Sequence, residues 1–298
     1  MGARMNANAG SESIPGNSRI LLSRAESLGP SDHAGRLVQR KGLPSEAGML
    51  IINADDWGRD SDTTERTLDC VHRGGVSSVS AMVFMEDSER AAVMAREHAI
   101  DAGLHLNLTT PFSAGNCPPR LMEYQQKLAQ YLLRHRLAQV MFHPGLTSAF
   151  EYVMAAQLEE FRRLYGADAG RLDGHHHMHL CANVLLQGLL PPNTIVRRNF
   201  SFEAGEKSLW NRLYRRLVDR MLARRHRLTD YFFSLAPLQP ESRLQRILSL
   251  SLQYVVEVEV HPINKDEYQF LTEGGVGRVA GDVRIASPCA ISWGSTSV

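Results

Sequence analysis

The sequence predicts an α/β protein whose parallel strands form a distorted or incomplete (β/α) barrel. From about residue 49 onward, strand-like and helix-like stretches alternate, which is the pattern of a parallel sheet covered by helices. The strand-like stretches include short apolar runs rich in β-branched residues, as expected of strands buried on both faces. About seven such strands in about 250 residues favour a barrel-like arrangement.

The first strand is predicted at residues 49–53, where the run MLIIN precedes a pair of aspartates. The later strands are predicted at residues 76–84, 104–109, 171–173, 194–197, 231–235 and 254–260. Helical spacing and capping residues predict helices between them, at residues 64–73, 89–98, 150–165, around 184, 206–226 and 241–252. Residues 111–147 are predicted to be an insertion with irregular and helical parts.

The two ends of the chain are expected to differ from the folded domain. Residues 1–48 contain no aromatic residue and no sustained periodicity, so they cannot bury enough apolar surface to offset their ordering entropy, and we predict disorder. Met49 directly precedes the first strand, which leads to the hypothesis that the natural chain starts there. Residues 273–298 are rich in glycine and match no recognisable element, so the pattern does not predict the last part of the barrel.

Composition excludes several classes of partner. With 33 basic and 32 acidic residues, the formal net charge is +1, which predicts no binding to nucleic acid and suits a neutral or lightly charged small molecule. No apolar run approaches the roughly 18 residues of a membrane-spanning helix. The four cysteines show no CxxC spacing, so we expect reduced thiols in a cytoplasmic protein. A homodimer remains compatible with the sequence.

Polar residues that can carry chemistry follow the predicted strands at their carboxyl ends, where barrel enzymes hold their sites. Asp55 and Asp56 follow the first strand, and adjacent carboxylates near a core are costly unless a cation lies between them. A divalent metal would meet that need, with one carboxylate as a ligand and the other as a base. Equally, aspartate and glycine in this segment are common in a turn or a helix cap.

The segment GLHLNLT alternates leucines with polar residues. His105, Asn107 and Thr109 are therefore predicted to share one face of a strand. A lone histidine in such a position is more often a hydrogen-bonded core residue than a ligand. The polar companions of His105 favour a lined cavity instead.

Histidines are concentrated after two further strands. Four of them follow Asp173: His175, His176, His177 and His179. Neutral imidazole is a common ligand of Zn²⁺ and similar metals, but one short stretch can point only one or two rings at one ion. The others are expected to orient ligands, contact substrate or serve the structure; a histidine-rich surface loop is the alternative. His261 ends the last predicted strand, where an imidazole suits proton transfer, although a histidine there is often incidental.

The segments INADDWG, GLHLNLT, RLDGHHHMH and VEVHP, in this order, resemble the motifs of the YdjC-like (ChbG/HpnK) carbohydrate deacetylases. The resemblance runs from about Met49 to about Leu271, and four motifs in register are specific although each alone is weak. It implies a distorted barrel related to polysaccharide deacetylases, with residues 49–298 as the catalytic domain. It also implies a metal-dependent hydrolase that removes N-acetyl groups from small amino sugars or glycolipids.

The resemblance further implies roles for individual residues. Asp56, His105 and His175 would bind one divalent metal ion, Mg²⁺ or Zn²⁺. Asp55 would be the general base, and His261 the general acid for the leaving amine. Four further residues would support the ligands or contact the substrate: Asn107, Asp173, His177 and His179. Gly174 stands where serine is frequent in the family.

Two other functions are compatible with a metal site in a barrel. A sugar isomerase or aldolase would use the metal to polarise a carbonyl group, and it would need a lysine or a further carboxylate near the metal, for which the sequence offers no obvious candidate. A non-catalytic metal-binding or sugar-binding protein would not need a spare carboxylate such as Asp55 beside the ligand Asp56.

A basic amphipathic helix is predicted at about residues 206–226. Apolar residues recur at positions 209, 213, 217 and 221, and seven arginines accompany them. Contact with an anionic membrane surface or a lipid-linked substrate is one interpretation. We expect the other, in which the apolar residues pack on the core and the arginines are solvated.

Overall fold

Seven parallel strands form a half-barrel in the computed structural model, within the described residues, which are 48–134, 136–202, 205–281 and 283–291. In chain order the strands are β1 (Met49–Trp57), β2 (Ser78–Ala81), β3 (Ala102–Leu106), β4 (Arg171–Gly174), β5 (Ile195–Val196), β6 (Tyr231–Ser234) and β7 (Val255–Val260). Their order in the sheet is β5-β4-β3-β2-β1-β7-β6. An isolated parallel bridge between Ile195 and Arg227 joins the β5 edge to the segment that leads into β6. The predicted α/β class is confirmed.

The interior strand β1 is paired along both edges. It runs beside β7 in register, from Met49 opposite Val255 to Ala54 opposite Val260. Every residue of β1 is buried. This burial explains the apolar run at its start, because a strand covered on both faces must satisfy its backbone within the sheet and fill the core with its side chains. The polar residues at the carboxyl end of β1 are therefore held inside the protein.

Helices cover the sheet between successive strands. They are α1 (Ser61–His72), α2 (Ser88–Glu97), α3 (Pro119–Arg134), α4 (Thr147–Tyr165), α5 (Ala182–Gln187), α6 (Leu209–Leu222), α7 (Glu241–Ser251), α8 (Lys265–Thr272) and α9 (Gly275–Ala280). The predicted helices before residue 260 are all present, with ends that differ by a few residues. Much of the predicted insertion at 111–147 is the helix α3, which packs against α4.

The strand β3 ends earlier than predicted. Alternation predicted a strand at residues 104–109, but β3 ends at Leu106. The side-chain oxygen of Asn107 accepts hydrogen bonds from the backbone N–H groups of Thr109 and Thr110, which turns the chain out of the sheet. Asn107 and Thr109 are nonetheless buried, so the predicted polar row is a turn at the end of the strand rather than a strand face.

The basic helix α6 is shorter than predicted and is oriented differently. It begins after Ser208, whose hydroxyl accepts a hydrogen bond from the backbone N–H of Asn211. The core contacts of α6 come from Val218 and Leu222, which are buried. The expectation that its apolar residues pack on the core is wrong for three leucines, which are exposed: Leu209, Leu213 and Leu217.

The chain divides into two units, residues 1–43 and 44–298, and all described residues belong to the second. The predicted disorder of residues 1–48 and the hypothetical start at Met49 concern a segment that lies, apart from Gly48, outside the described residues. In the C-terminal tail, Ile285 forms a parallel bridge with Leu50 at the start of β1. Among the helices of the described residues, none is both long and apolar enough to cross a bilayer.

Candidate metal centre

Asp55 and Asp56 reach the same site although they are neighbours on β1. Successive residues of a regular strand point to opposite faces of the sheet. Here the register between β1 and β2 shifts between Ala54 and Trp57, and Asp56 has a left-handed backbone with a φ of 66°. This bulge re-aims the side chains, so that both carboxylates are buried at the carboxyl edge of the sheet.

The side chains of Asp56, His105 and His175 converge at this edge. One nitrogen or oxygen atom from each lies within 4.8 Å of the other two. Oδ1 of Asp56 is 2.8 Å from Nδ1 of His175 and 3.3 Å from Nε2 of His105. Oδ2 of Asp56 accepts a hydrogen bond from the Arg59 guanidinium at 3.2 Å. The three converging side chains are all buried, so their electrostatic interactions are strong.

The chemistry of these atoms fits a divalent cation. Nδ1 of His105 lies 2.8 Å from Oδ1 of Asp173, so this nitrogen donates to the carboxylate. In a neutral ring, Nε2 then presents a lone pair to Asp56, and two acceptors face each other unless a cation or a further proton lies between them. Burial alone would lower the pKa of His105, but the charges of Asp173 and Asp55 raise it to about 10. Two imidazoles and a carboxylate are ligands that Zn²⁺ and similar metals accept.

The neighbouring carboxylate Asp55 is held by Arg197. The guanidinium donates to its two oxygens at 2.7 and 2.8 Å, and the Asn53 amide donates to Oδ1 at 2.9 Å. Burial opposes the charge, but Arg197 and then His105 keep the pKa of Asp55 below its ordinary value. Arg197 also lies 2.7 Å from Asp173. Because this cation already pairs with Asp55 and Asp173, these two are less suited than Asp56 to bind a metal.

Two carboxylates of β7, Glu257 and Glu259, also contact Arg197. Nε of Arg197 donates to Glu257 at 2.8 Å, and Nη1 lies 3.4 Å from Glu259. Burial raises the pKa of Glu257, and burial together with the charge of Asp55 raises the pKa of Glu259 well above its ordinary range. Arg197 alone therefore does not keep both glutamates ionised in the cluster formed by Asp55, Asp56, His105, Asp173, His175, Arg197, Glu257 and Glu259, and a bound cation would favour their charged forms.

The 3₁₀ segment His175–Leu180 places its histidines in different surroundings. His176 and His177 have left-handed backbones, which separates the directions of their rings. Nδ1 of His176 lies 3.0 Å from the Thr109 hydroxyl. The ring of His177 packs edge-on against Phe200, and burial followed by the charge of Arg197 lowers the pKa of His177 to about 3. His177 is therefore neutral, and its ring packs against the aromatic ring of Phe200 next to the site.

His179 and Asn107 hold backbone segments next to the site through side-chain hydrogen bonds. Nε2 of His179 donates to the backbone oxygen of Arg197 at 3.0 Å, which fixes the end of β5. Burial lowers the pKa of His179 to about 4, so its ring is neutral. The Asn107 amide donates to the backbone oxygen of Thr110 at 2.7 Å. Asn107 thus holds the turn after β3, and its hydrogen bonds within the described residues do not include the converging ligands.

His261 follows β7 at the same edge of the sheet. Because Ala54 pairs with Val260, His261 lies level with Asp55 on the neighbouring strand. Its backbone N–H donates to Glu267 at 2.8 Å. Its half-buried ring makes no hydrogen bond within the described residues, so the ring is available to a substrate.

The sequence profile of the YdjC-like protein family matches residues 49–275. The chain belongs to the YdjC-like family. The match begins at the first residue of β1 and ends in α9, so it includes every residue of the cluster and every strand of the described sheet. The resemblance predicted from four sequence motifs is confirmed.

Two curated proteins show the extent of the similarity to YdjC-like relatives. A Mus musculus protein named carbohydrate deacetylase is 33% identical over 140 residues, which are 45% of this chain and 44% of that protein. A Serratia marcescens protein named chitooligosaccharide deacetylase is 30% identical over 133 residues, which are 44% of this chain and 51% of that protein. The matched part of the chain therefore spans about half the length of these relatives.

The fold of this YdjC-like protein is also found in a crystal structure from Enterococcus faecalis. That protein is provisionally described as a cellobiose-phosphate cleavage protein. The two superimpose with a TM-score of 0.55 at 17% identity, covering 81% of this chain and 98% of the other. At this identity the likeness concerns the fold alone.

The cluster contains residues for which the YdjC-like motifs gave no expectation. Arg197 follows β5 in an unremarkable Val-Arg-Arg-Asn segment, and no local pattern distinguishes it from Arg198. Glu257 and Glu259 do carry a signal. They alternate with valines in a strand predicted to be buried, so both glutamates must share one face, where burial requires a cationic partner.

Proposed function

We propose that this YdjC-like protein is a metal-dependent hydrolase that removes an N-acetyl group from a small amino sugar or an amino-sugar glycolipid. One observation carries the proposal: the buried Asp55, kept ionised by Arg197, lies beside a separate set of metal-ligand side chains. A site that only binds a metal has no use for such a carboxylate. The names of the mouse and Serratia relatives, carbohydrate deacetylase and chitooligosaccharide deacetylase, support the substrate class.

Amide hydrolysis requires an activated water, stabilisation of the oxyanion and a proton for the leaving amine. Asp56, His105 and His175 would hold a divalent ion, which would supply Lewis acidity to activate the water and to stabilise the oxyanion. Asp55 accepts a proton from the water that attacks the acetyl carbon, and the hydrogen bonds from Arg197 orient its carboxylate for this role.

The leaving nitrogen receives its proton from His261 in this proposal. His261 lies level with Asp55 on the adjacent strand, so base and acid come from neighbouring strand ends. Its ring has no hydrogen-bond partner within the described residues that would compete with the substrate. Asp173 keeps His105 in the tautomer whose Nε2 faces Asp56, and this orients the ligand.

The ligand types bear on the identity of the metal. Mg²⁺ prefers oxygen ligands, so two imidazoles with one carboxylate favour Zn²⁺ or a similar transition metal.

The four cysteines carry free thiols, three of them buried. Because free thiols persist in reducing compartments, we place the reaction in the cytoplasm.

The competing isomerase or aldolase function requires a lysine or a further carboxylate near the metal. Within the described residues, Lys127 and Lys265 are exposed on helices, and Lys207 lies over the ring of Phe202. None of these three contacts the site. Asp173, Glu257 and Glu259 do supply further carboxylates there, so the preference for a hydrolase rests on the names of the mouse and Serratia relatives.

The test is acetate release from N-acetylglucosamine disaccharides and from N-acetylated amino-sugar glycolipids. We expect release by the purified protein, loss of release after chelation, and recovery when Zn²⁺ or Mg²⁺ is added back. Absence of acetate with every substrate, although one metal ion binds per chain, would overturn the proposal.

A further inference from the structure

The outward side of α6 carries a continuous apolar stripe. Leu209 and Trp210 are 65% and 81% exposed, and Leu213 and Leu217 are 43% and 57% exposed. Leu209, Leu213 and Leu217 are spaced four residues apart, so they form one row along the helix, and Trp210 lies beside Leu213 and Leu217. Single exposed apolar residues need no explanation, but a row of three leucines with an exposed tryptophan marks a contact surface.

The other side of α6 anchors the helix to the protein. Val218 and Leu222 are buried. Asp219 lies 2.8 Å from the Arg198 guanidinium and accepts a hydrogen bond from the backbone N–H of Asn199 at 3.0 Å. These contacts fix the rotation of the helix about its axis. Its leucine row therefore faces outward because the opposite side is held.

A row of arginines runs beside the leucine row. Arg212, Arg216 and Arg220 are also spaced four residues apart, and within the described residues none of them is paired with a carboxylate. Asp219 is the acidic residue of α6, and it is engaged by Arg198. The chain as a whole has a formal net charge of only +1, so this surface concentrates positive charge locally.

We propose that the outward side of α6 binds an anionic membrane surface. A helix with tryptophan and leucines on one side and arginines along its flank is suited to lie in the plane of the interface, with its apolar row in the acyl boundary and its cations at the lipid phosphates. Trp210 fits this position because an indole ring prefers the interfacial region.

The charge distribution favours a lipid surface over a second copy of this chain. A two-fold symmetric dimer through this surface would place the same arginine row on both partners, so like charges would lie close together. An anionic bilayer offers negative charge at every point along the row. The surface is therefore electrostatically complementary to anionic lipid and not to itself.

The proposed membrane contact lies at the same end of the sheet as the metal-ligand cluster. α6 follows β5, so the helix begins at the carboxyl edge. Phe200 packs against His177, and the ring of Phe202 lies 6.2 Å from that of Phe200 and beneath Arg215 of α6. A bound membrane would therefore lie close to the mouth of the site. The membrane contact itself does not depend on the proposed deacetylase function.

The test is co-sedimentation of the full chain with lipid vesicles. We expect binding to phosphatidylcholine vesicles that contain about 30% phosphatidylglycerol, weaker binding to pure phosphatidylcholine, and release as salt shortens the Debye length from about 10 Å at 0.1 M to about 3 Å at 1 M. Changing Arg212, Arg216 and Arg220 together to glutamine should weaken binding about 100-fold, at about fivefold for each arginine. Trp210→Ser should weaken it about tenfold.

Matched control variants test whether the loss of vesicle binding is specific to the outward side of α6. Leu137→Ser changes an exposed leucine in the 3₁₀ turn Arg136–Gln139, and Arg162→Gln changes an exposed arginine on α4; both variants should bind vesicles like the wild type. Trp210→Phe should keep binding but lose the quenching of tryptophan fluorescence by brominated lipid that is due to Trp210. Circular dichroism and thermal melting should show that all variants remain folded.

Three outcomes would overturn the proposal. The first is no preference for anionic vesicles, and the second is equal weakening by the control and α6 variants. The third is a dimer, measured by sedimentation equilibrium, that dissociates in the α6 variants while vesicle binding is unchanged. In that case the surface is an interface between copies.

Discussion

Arg197 connects the stability of the fold with the proposed chemistry. It is buried, it contacts carboxylates from three strands, and its guanidinium lies 4.9 Å from the centre of the Phe232 ring. A planar guanidinium with five donors can serve several carboxylates in fixed directions, whereas a lysine ammonium cannot. Because removal would leave buried charges unpaired, a residue in this position costs about 3–5 kcal/mol to delete.

The role of Asp55 is tested by Asp55→Asn. The amide cannot accept a proton from water, so we expect kcat to fall by about 10²–10⁴-fold, the usual contribution of a general base. Metal content should stay at the wild-type level, because Asp55 is not in the proposed ligand set. Asp168→Asn, which changes an exposed carboxylate, is the matched control. Activity of Asp55→Asn near that of wild type would exclude the base role.

Burial of the neutral His179 predicts loss of stability in acid. Its pKa is lowered by burial to about 4, against 6.5 in an unfolded chain. Between these values the unfolded state binds more protons, so the stabilisation present above pH 6.5 is lost as the pH falls towards 4. From pH 7 to pH 5 this amounts to about 2 kcal/mol.

The comparison that isolates this effect is His179→Gln, whose amide can still donate to the backbone oxygen of Arg197. Urea unfolding of chelated protein at pH 7 and pH 5 should show a smaller acid loss in the variant than in the wild type, by about 2 kcal/mol. Equal losses in the two proteins would show that His179 does not titrate in this range.

At the scale of elements, the site depends on irregular backbone where strands end. The bulge of β1 and the left-handed Asp56 bring two adjacent carboxylates to one place, and the left-handed His176 and His177 separate neighbouring rings. Such conformations cost about 1–3 kcal/mol each and persist only where the surrounding packing enforces them. The regular strands and helices around the cluster are therefore the frame that maintains these turns.

Gly75 is a position where helix packing leaves no space for a side chain. A Cβ atom there would lie 2.5 Å from the backbone oxygen of Leu271 in α8. Gly75→Ala should therefore displace α8 and lower the free energy of unfolding by about 1–3 kcal/mol, measured by chemical denaturation. Gly170→Ala, where a Cβ would meet nothing within 4 Å, is the control and should be close to neutral. Similar values for the two variants would contradict the packing argument.

At the scale of the whole molecule, parallel strands bring distant residues together. All strands of the described sheet run in one direction, so their carboxyl ends share one edge. Asp55 and Arg197 are 142 residues apart in sequence and still pair there. Several of the residues at this edge are carboxylates, and a cation that binds them in the folded state alone would stabilise the protein.

Metal binding should therefore be visible in global stability. At a free metal concentration of 100 times the Kd, Zn²⁺ should raise the free energy of unfolding by about 2.7 kcal/mol over the chelated protein. In His105→Ala and His175→Ala this increase should be small, since each lacks a proposed ligand. His98→Ala, which removes an exposed histidine, should keep it. An undiminished increase in both ligand variants would reject the assigned set.

The sequence predicted much of this arrangement because its signals are local. Apolar β-branched runs, helical spacing and the alternation of elements depend on neighbours in sequence, so strand order along the chain and the parallel class could be read directly. The motif segments also mark strand ends, which is why Asp55, Asp56, His105 and His175 could be expected at one edge.

Three features could not be read from the sequence patterns: two of them depend on contacts that only the tertiary structure creates, and the early end of β3 depends on a turn that the alternation of leucines and polar residues does not show. The partnership of Arg197 with Asp55 requires β5 and β1 to be placed in one sheet, which no local pattern encodes. The early end of β3 follows from side-chain hydrogen bonds of Asn107 that compete with strand pairing. The outward leucines of α6 follow from anchoring of its opposite side, because spacing identifies an apolar row but not what that row faces.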